Sequence, residues 1–165
     1  MPVELFRIDD RLIHGQVVVG WGQPLDVAFI VLVDDDVAAS EWEQELYRMG
    51  VPPNVTLHFE TVAGAAARLS DYIADPRPGI VLTGDIGTMI RLSESRPVIR
   101  AVNLGGIHHR AGRTQKLRYV FLTDAEAIAL RGLAAHGVIV TAQDVPSARP
   151  VPLDEVLASR GERPA

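Results

Sequence analysis

The chain has no cysteine. Disulfide staples and thiolate chemistry are therefore excluded, and a reducing compartment is permitted. It also lacks a basic excess. Sixteen Lys and Arg stand against 21 Asp and Glu, a formal charge of −5. Phosphate backbones demand a basic face, so nucleic acid is not the expected main partner. Small anions need only a local positive site and stay open. Long apolar runs are missing too. The longest, Val27 to Val33, falls far short of the roughly 20 residues of a spanning helix. The start, "MPVELFRIDD", has no basic segment followed by an apolar one, so no signal peptide is expected. The reading is a soluble, cytoplasmic protein that meets a membrane only through a partner.

Several fingerprints are absent as well. No G-x-G-x-x-G occurs, so the standard dinucleotide-binding turn is missing. No G-x-S-x-G occurs, which weakens an α/β-hydrolase reading. The stretch "NLGGIHHRAGRTQ" has glycines and Arg113-Thr114. However, five residues separate Gly106 from Gly112, and Arg113 stands where a P-loop requires lysine. A nucleotide-binding P-loop is rejected. His108 and His109 are adjacent in a loop with no third ligand at a suitable spacing. No metal site is expected, and no cofactor.

What remains is 165 residues, 47% hydrophobic, enough for one domain with a real core. Strand-like runs alternate with helix-like ones. Strands are expected at "VELFRI", "VAFIVLV", "VTLHF", "GIVLTG", "VIRAVNL", "LRYVFL" and "VIVTA". Capping boxes are expected at Ser40 with Glu43 and at Thr123 with Glu126, with Gly137 closing the second helix. Asp85 or Thr83 is expected to cap the helix "DIGTMIRLSES", and "VPLDEVLAS" to make one or two helical turns. This alternation predicts an α/β fold: an open, mostly parallel twisted sheet of about seven strands with helices on both faces. Ligands of such sheets bind beyond the carboxyl ends of strands. That rule selects three loops, Asp9–His14, Thr83–Thr88 and Asn103–Gln115.

The first loop opens "RIDDRLIHGQVVVGW", Arg7 to Trp21. A strand hands over to a helix near His14. Free N–H groups there favour an anion, and Arg11 offers a planar fork for phosphate oxygens. Neutral imidazole is a nucleophile near pH 7. His14 thus combines with a counter-charge to suit a phosphoryl group, with Asp9 or Asp10 orienting the ring or capping the helix. The plainer alternative makes Asp9 and Asp10 turn residues, pairs Arg11 with one of them, and leaves His14 a half-buried filler. The residues alone leave both open. Thr88 can reach a bound phosphate, or serve the helix start only. His58 is expected on the strand face opposite Leu57 and Phe59, and His136 near a helix C-terminus where a cation suits the dipole.

"RIDDRLIHGQV" resembles the active-site segment of mannose/sorbose-type IIB subunits of the bacterial phosphoenolpyruvate-dependent sugar phosphotransferase system. "VLVDDDVAAS" and "AVNLGGIHHRAGRTQ" resemble further stretches of that family, and the order of elements matches from Pro2 to about Leu157. The resemblance implies a single IIB domain over residues 1–165 that acts as a phosphocarrier enzyme. His14 would accept a phosphoryl group from a phosphohistidine on a IIA donor. It would pass the group to a sugar carried by membrane IIC and IID subunits. Arg11 would neutralise the phosphate, with Asp10, Gly15, Thr83 and Thr88 supporting the site. His108, Arg110 and Arg113, with His109, would line a partner-facing rim. The chain begins at the first strand, so the donor is expected on a separate protein. "LTGDIGTMIRL" lacks a proline expected of the family there. A regulatory module that reports the state of His14 without transport is the alternative. A nucleotide or small-molecule enzyme on a doubly wound sheet is the third reading.

Overall fold

The computed structural model describes residues 3–159. The chain starts with β1 (Val3–Ile8), then a π-helix (Gln16–Trp21), β2 (Phe29–Val33) and a single helical turn, α1 (Asp35–Ala38). There follow α2 (Glu41–Met49), β3 (Thr56–Glu60), α3 (Val62–Ala74), β4 (Gly79–Thr83) and α4 (Ile86–Ser95). The last part runs β5 (Ala101–Leu104), β6 (Thr114–Leu117), β7 (Val120–Leu122), α5 (Asp124–Ala135), β8 (Ile139–Ala142), β9 (Val151–Pro152) and α6 (Leu153–Ala158).

Seven strands form one sheet in the order β3-β2-β4-β1-β5-β8-β9. All neighbours are parallel except β8 and β9. The expected α/β sheet of about seven strands is therefore present, but its membership differs by one strand. "LRYVFL" is not part of it. Leu117 ends β6, the chain turns at Arg118-Tyr119, and β6 and β7 pair antiparallel as a separate hairpin. The seventh place goes to β9, whose Pro152 lies at an edge, where a missing N–H costs no ladder bond.

β2 and β4 are buried at every residue, as strands covered on both sides must be. On one side, Leu69 of α3, Met89 and Leu92 of α4, Leu130 and Leu133 of α5 and Val156 of α6 close over Phe6, Ile8, Val31, Val81 and Val102. On the other, Val17, Val18 and Trp21 of the π-helix, with Val37 and Tyr47, close over Ile30, Leu32, Leu57, Ile80 and Leu82. His58 lies opposite Leu57, as expected, between the rings of Phe29 and Tyr72.

The starts of α4 and α5 follow the local chemistry expected of them, and that of α2 does not. Thr123 and Glu126 form the reciprocal capping box, and His136 followed by Gly137 at φ +93° ends α5. Asp85 caps α4 by accepting from the Thr88 N–H at 2.6 Å. The box expected at Ser40 is absent: Ser40 is the N-cap, but its hydroxyl makes no capping bond. The chain enters α2 straight from α1, and the Gln44 amide instead donates to the carbonyls of Val37 and Ala38. The helix after His14 is also not α. Its N–H groups reach back five residues, as Gly22 N–H does to Val17 O at 2.8 Å. Three successive valines disfavour an ordinary α-turn here, and π-turns of this kind concentrate at functional sites.

Candidate functional site

The three loops selected from the sequence follow β1, β4 and β5, which are neighbours in the sheet. The chain leaves β1 toward β2 on one side, and leaves β5 toward β8 on the other. A crevice opens where connections diverge in this way. Backbone bonds hold its walls: Asp9 N–H to Thr83 O at 2.9 Å, Asp10 N–H to Gly106 O at 2.8 Å and Gly105 N–H to Ile8 O at 2.7 Å.

Its floor is an ion network that begins within β1. Arg7 and Asp9 share one strand face and are both fully buried. The Arg7 guanidinium donates to Asp9 Oδ2 at 3.2 Å, to the side-chain carbonyl of Asn103, and to the main-chain carbonyls of Gln143 and Asp144. It also stacks 4.8 Å from the Trp21 ring centroid. Burial pulls the proton affinity of Arg7 down and Asp9 opposes that shift; a guanidinium stays charged regardless. Burial alone would push the Asp9 carboxyl up. The Arg11 hydrogen bonds and the charges of Arg7, His14 and Arg11 outweigh it and hold the group below the usual range.

Arg11 takes the outer side of the same carboxylate. Its Nε reaches Asp9 Oδ1 at 3.2 Å and its Nη2 reaches Oδ2 at 3.3 Å. Nη2 also donates to Gln16 Oε1 at 2.8 Å. Ion-pair bonds of 2.7–2.9 Å are the norm. Arg11 is thus loosely held, and its side chain is 36% exposed. His14 completes the group. Its Nε2 lies 3.8 Å from Asp9 Oδ2, and its Nδ1 lies 2.7 Å from the Leu12 carbonyl oxygen. A carbonyl only accepts, so Nδ1 carries the proton. Nε2 is buried and makes no hydrogen bond among the described residues. The His14 side chain is 18% exposed, its ring held inward by the Leu12 carbonyl beside Asp9. Leu12 itself sits at φ +60°, with its side chain in space that a Cβ on Gly84 would fill. Such strain in a non-glycine residue collects at functional sites.

The other sequence candidates divide. Asp10 does not face His14. Its carboxylate binds the His108 backbone N–H at 2.7 Å and His108 Nδ1 at 2.6 Å, tying the β1 loop to the β5 loop. Thr83 is buried and its hydroxyl donates to Asp85 O. The Thr88 hydroxyl makes no hydrogen bond to the His14 loop among the described residues. Arg113 is not a rim residue. Its side chain is buried and forked onto both oxygens of Glu126, at 3.0 and 2.8 Å. His108, His109 and Arg110 are exposed beside the crevice. Among the described residues no cluster of His, Asp and Glu could hold a metal ion, and no helix is long and apolar enough to cross a membrane. Arg7, Gln16, Asn103 and Asp144 are the residues that sequence reasoning left out of the site, and Asp9 was offered only alongside Asp10. A signal existed for Arg7: an arginine inside an apolar strand, with an aspartate two residues on, is a buried pair on one face.

The fold and site define an α/β protein with a histidine and two arginines around one buried carboxylate, at the switch point of a mostly parallel sheet. Residues 3–164 match the family model of the sorbose-subfamily IIB component of the phosphotransferase system, and the chain belongs to that family. It is 35% identical over 139 residues to the mannose-specific EIIAB component of Escherichia coli K12, covering 84% of this chain. The chain spans only 43% of the length of that relative. It is 32% identical over 141 residues to the sorbose-specific EIIB component of Klebsiella pneumoniae, covering 84% of each. Among solved structures, the IIB domain of the Klebsiella pneumoniae sorbose permease superposes with a TM-score of 0.85 at 28% identity, covering 95% of this chain and 97% of that one. The manxB structure from Thermoanaerobacter tengcongensis gives 0.85 at 30% identity, covering 94% of each chain.

Proposed function

We propose that this chain is a phosphocarrier of sugar uptake. His14 accepts a phosphoryl group from a phosphohistidine of a IIA partner and gives it to a sugar held by membrane IIC and IID subunits. The observation that carries this reading is the convergence of His14 and Arg11 on one carboxylate, Asp9, at the open end of the sheet. In the first half-reaction an imidazole lone pair attacks phosphorus as the donor's N–P bond breaks, and that pair returns to the donor nitrogen. In the second, a sugar hydroxyl attacks, its proton goes to a base, and His14 recovers its lone pair. Such transfers depend on positioning and charge compensation.

The geometry supports three roles. Asp9 cancels Arg7 and half-engages Arg11, so the unphosphorylated site holds no large unbalanced charge. Arg11, loosely held and reachable, swings to the incoming phosphoryl oxygens. The imidazole itself must turn. In this orientation one nitrogen is spent on Leu12 and the other faces inward, so neither can meet a donor. Turning breaks one hydrogen bond, a cost of about 1 kcal/mol. A modest grip suits a carrier, which must release what it binds.

The test is a chase. Protein labelled by phosphorylated IIA is added to membranes with or without IIC and IID, plus sugar. Label should leave His14 for the sugar only with those subunits present. Label that stays on the protein in their presence would count against transport and favour a regulatory module.

Gly15 offers a second test. Its backbone is ordinary right-handed helix, and a Cβ there would meet nothing within 4 Å. The fold therefore does not require glycine, but an approaching partner would. Gly15→Leu should leave stability within about 0.5 kcal/mol of the parent. It should slow labelling by IIA roughly tenfold or more, equivalent to about 1.4 kcal/mol. Comparing labelling rates with thermal unfolding of the same sample separates the two effects.

A further inference from the structure

Helix α2 breaks the pattern of the other described helices of eight residues or more. α3, α4 and α5 each bury apolar side chains in the core, whereas α2 buries no residue. It is nevertheless two-sided. Tyr47 packs toward Phe59, with ring centroids 6.3 Å apart, and Gln44 ties the helix to α1. On the outward side stand Trp42, Leu46 and Met49, at i, i+4 and i+7, exposed by 68%, 56% and 82%. This spacing makes one continuous stripe. Large apolar side chains gathered on one surface mark a contact site, and Trp and Met are enriched at interfaces. The surroundings are acidic. Glu41, Glu43 and Glu45 lie on the same helix against a single basic residue, Arg48, and Asp35 and Asp36 are exposed on the preceding turn.

We propose that this acidic-apolar face of α2 docks on the basic cytoplasmic loops of the membrane IIC and IID subunits. The proposal rests on the phosphocarrier reading and supplies it with a contact surface. Cytoplasmic loops of membrane proteins are enriched in Lys and Arg, the complement of this face. A second copy of the chain is a poorer occupant, because face-to-face pairing would set the same glutamates against each other. The position also suits the task. α2 begins after α1, at the carboxyl end of β2, the sheet edge that carries His14. The stripe stands on the helix surface and not in the crevice. The membrane partner can hold the chain there while the donor reaches His14 through the crevice between turnovers.

The test uses the full chain and the triple variant Trp42→Gln, Leu46→Gln, Met49→Gln, all exposed positions whose loss leaves the core intact. Three readouts are taken: labelling of His14 by phosphorylated IIA, sugar phosphorylation against protein concentration, and co-sedimentation with vesicles. The vesicles carry IIC and IID, or are made of the same lipids without protein. The variant should be labelled at the parent rate. Its half-saturating concentration for sugar phosphorylation should rise roughly tenfold or more, as loss of interface anchors does. The parent should sediment with subunit-bearing vesicles only, and less at high salt. An unchanged half-saturating concentration would overturn the proposal. So would equal binding to protein-free vesicles, which would make the stripe a lipid contact. A parent dimer that the variant dissolves would assign the stripe to a second copy, and also overturns it. If the parent takes no label from IIA, the phosphocarrier reading itself fails, and this proposal with it.

Discussion

The His14→Ala protein is expected to fold and to accept no phosphoryl group. The substitution removes a half-buried ring and its 2.7 Å contact with the Leu12 carbonyl. That hydrogen bond is worth about 1 kcal/mol, well within what a domain of this size tolerates. The chemical loss is total, because no other nucleophile shares the position. His108 is a second imidazole beside the crevice, but its Nδ1 is tied to Asp10, whereas His14 shares the Asp9 carboxylate with Arg11. Asp10→Ala would release His108 while Arg11 stays on Asp9 and Gln16 and Arg113 on Glu126, so it should not restore labelling to the His14→Ala protein. The measurement is the label retained after incubation with phosphorylated IIA, with circular dichroism or thermal unfolding verifying the fold.

Asp9→Ala should be the most damaging single change to stability near the site. It leaves Arg7 fully buried with no carboxylate, and strips Arg11 of three bonds, one of them from its backbone N–H. Removing one partner of a buried pair costs about 3–5 kcal/mol. For a domain of this length that lowers Tm by roughly 6–20 °C. The remaining acceptors of Arg7, the oxygens of Asn103, Gln143 and Asp144, place the cost at the lower end. The pH dependence has a definite sign. The folded Asp9 carboxyl is held below its ordinary range, so its contribution is present above the unfolded value, about 3.9, and is lost as pH falls through the folded value. The stability gap between parent and Asp9→Ala should therefore be full at pH 7 and shrink below about pH 4. Denaturant unfolding at both pH values measures it. A gap that stayed constant down to pH 2 would mean that the Asp9 charge is not what the fold uses.

Much of this was readable in order along the chain. The alternation of strands and helices gave the sheet class, and the rule that ligands gather at carboxyl ends selected loops that prove adjacent in space. The contiguous motif from Asp9 to Gly15 carried the histidine and its arginine. What stayed hidden depended on contacts across long separations. Asn103, Gln143 and Asp144 meet Arg7 from 96 to 137 residues away, and no local spacing encodes that. The inward turn of Arg113 had the same cause, since Glu126 looked committed only to its capping box and serves both. "LRYVFL" looked like one strand because the two-residue turn at Arg118-Tyr119 inside it contains neither glycine nor proline, and the start of β6 fell in the loop read as Asn103–Gln115. The segment after His14 was legible only as a short helix, because apolar spacing over six residues cannot separate π from α.

The central claim is that the phosphoryl group resides on His14. The most direct measurement is to phosphorylate the full chain with IIA, digest it under alkaline conditions that preserve phosphohistidine, and locate the modified peptide by mass spectrometry. The account predicts one acid-labile phosphate per chain, on the peptide containing His14. Phosphate on His108, His58 or an acidic residue, or a labelled protein whose His14 peptide is unmodified, would contradict it.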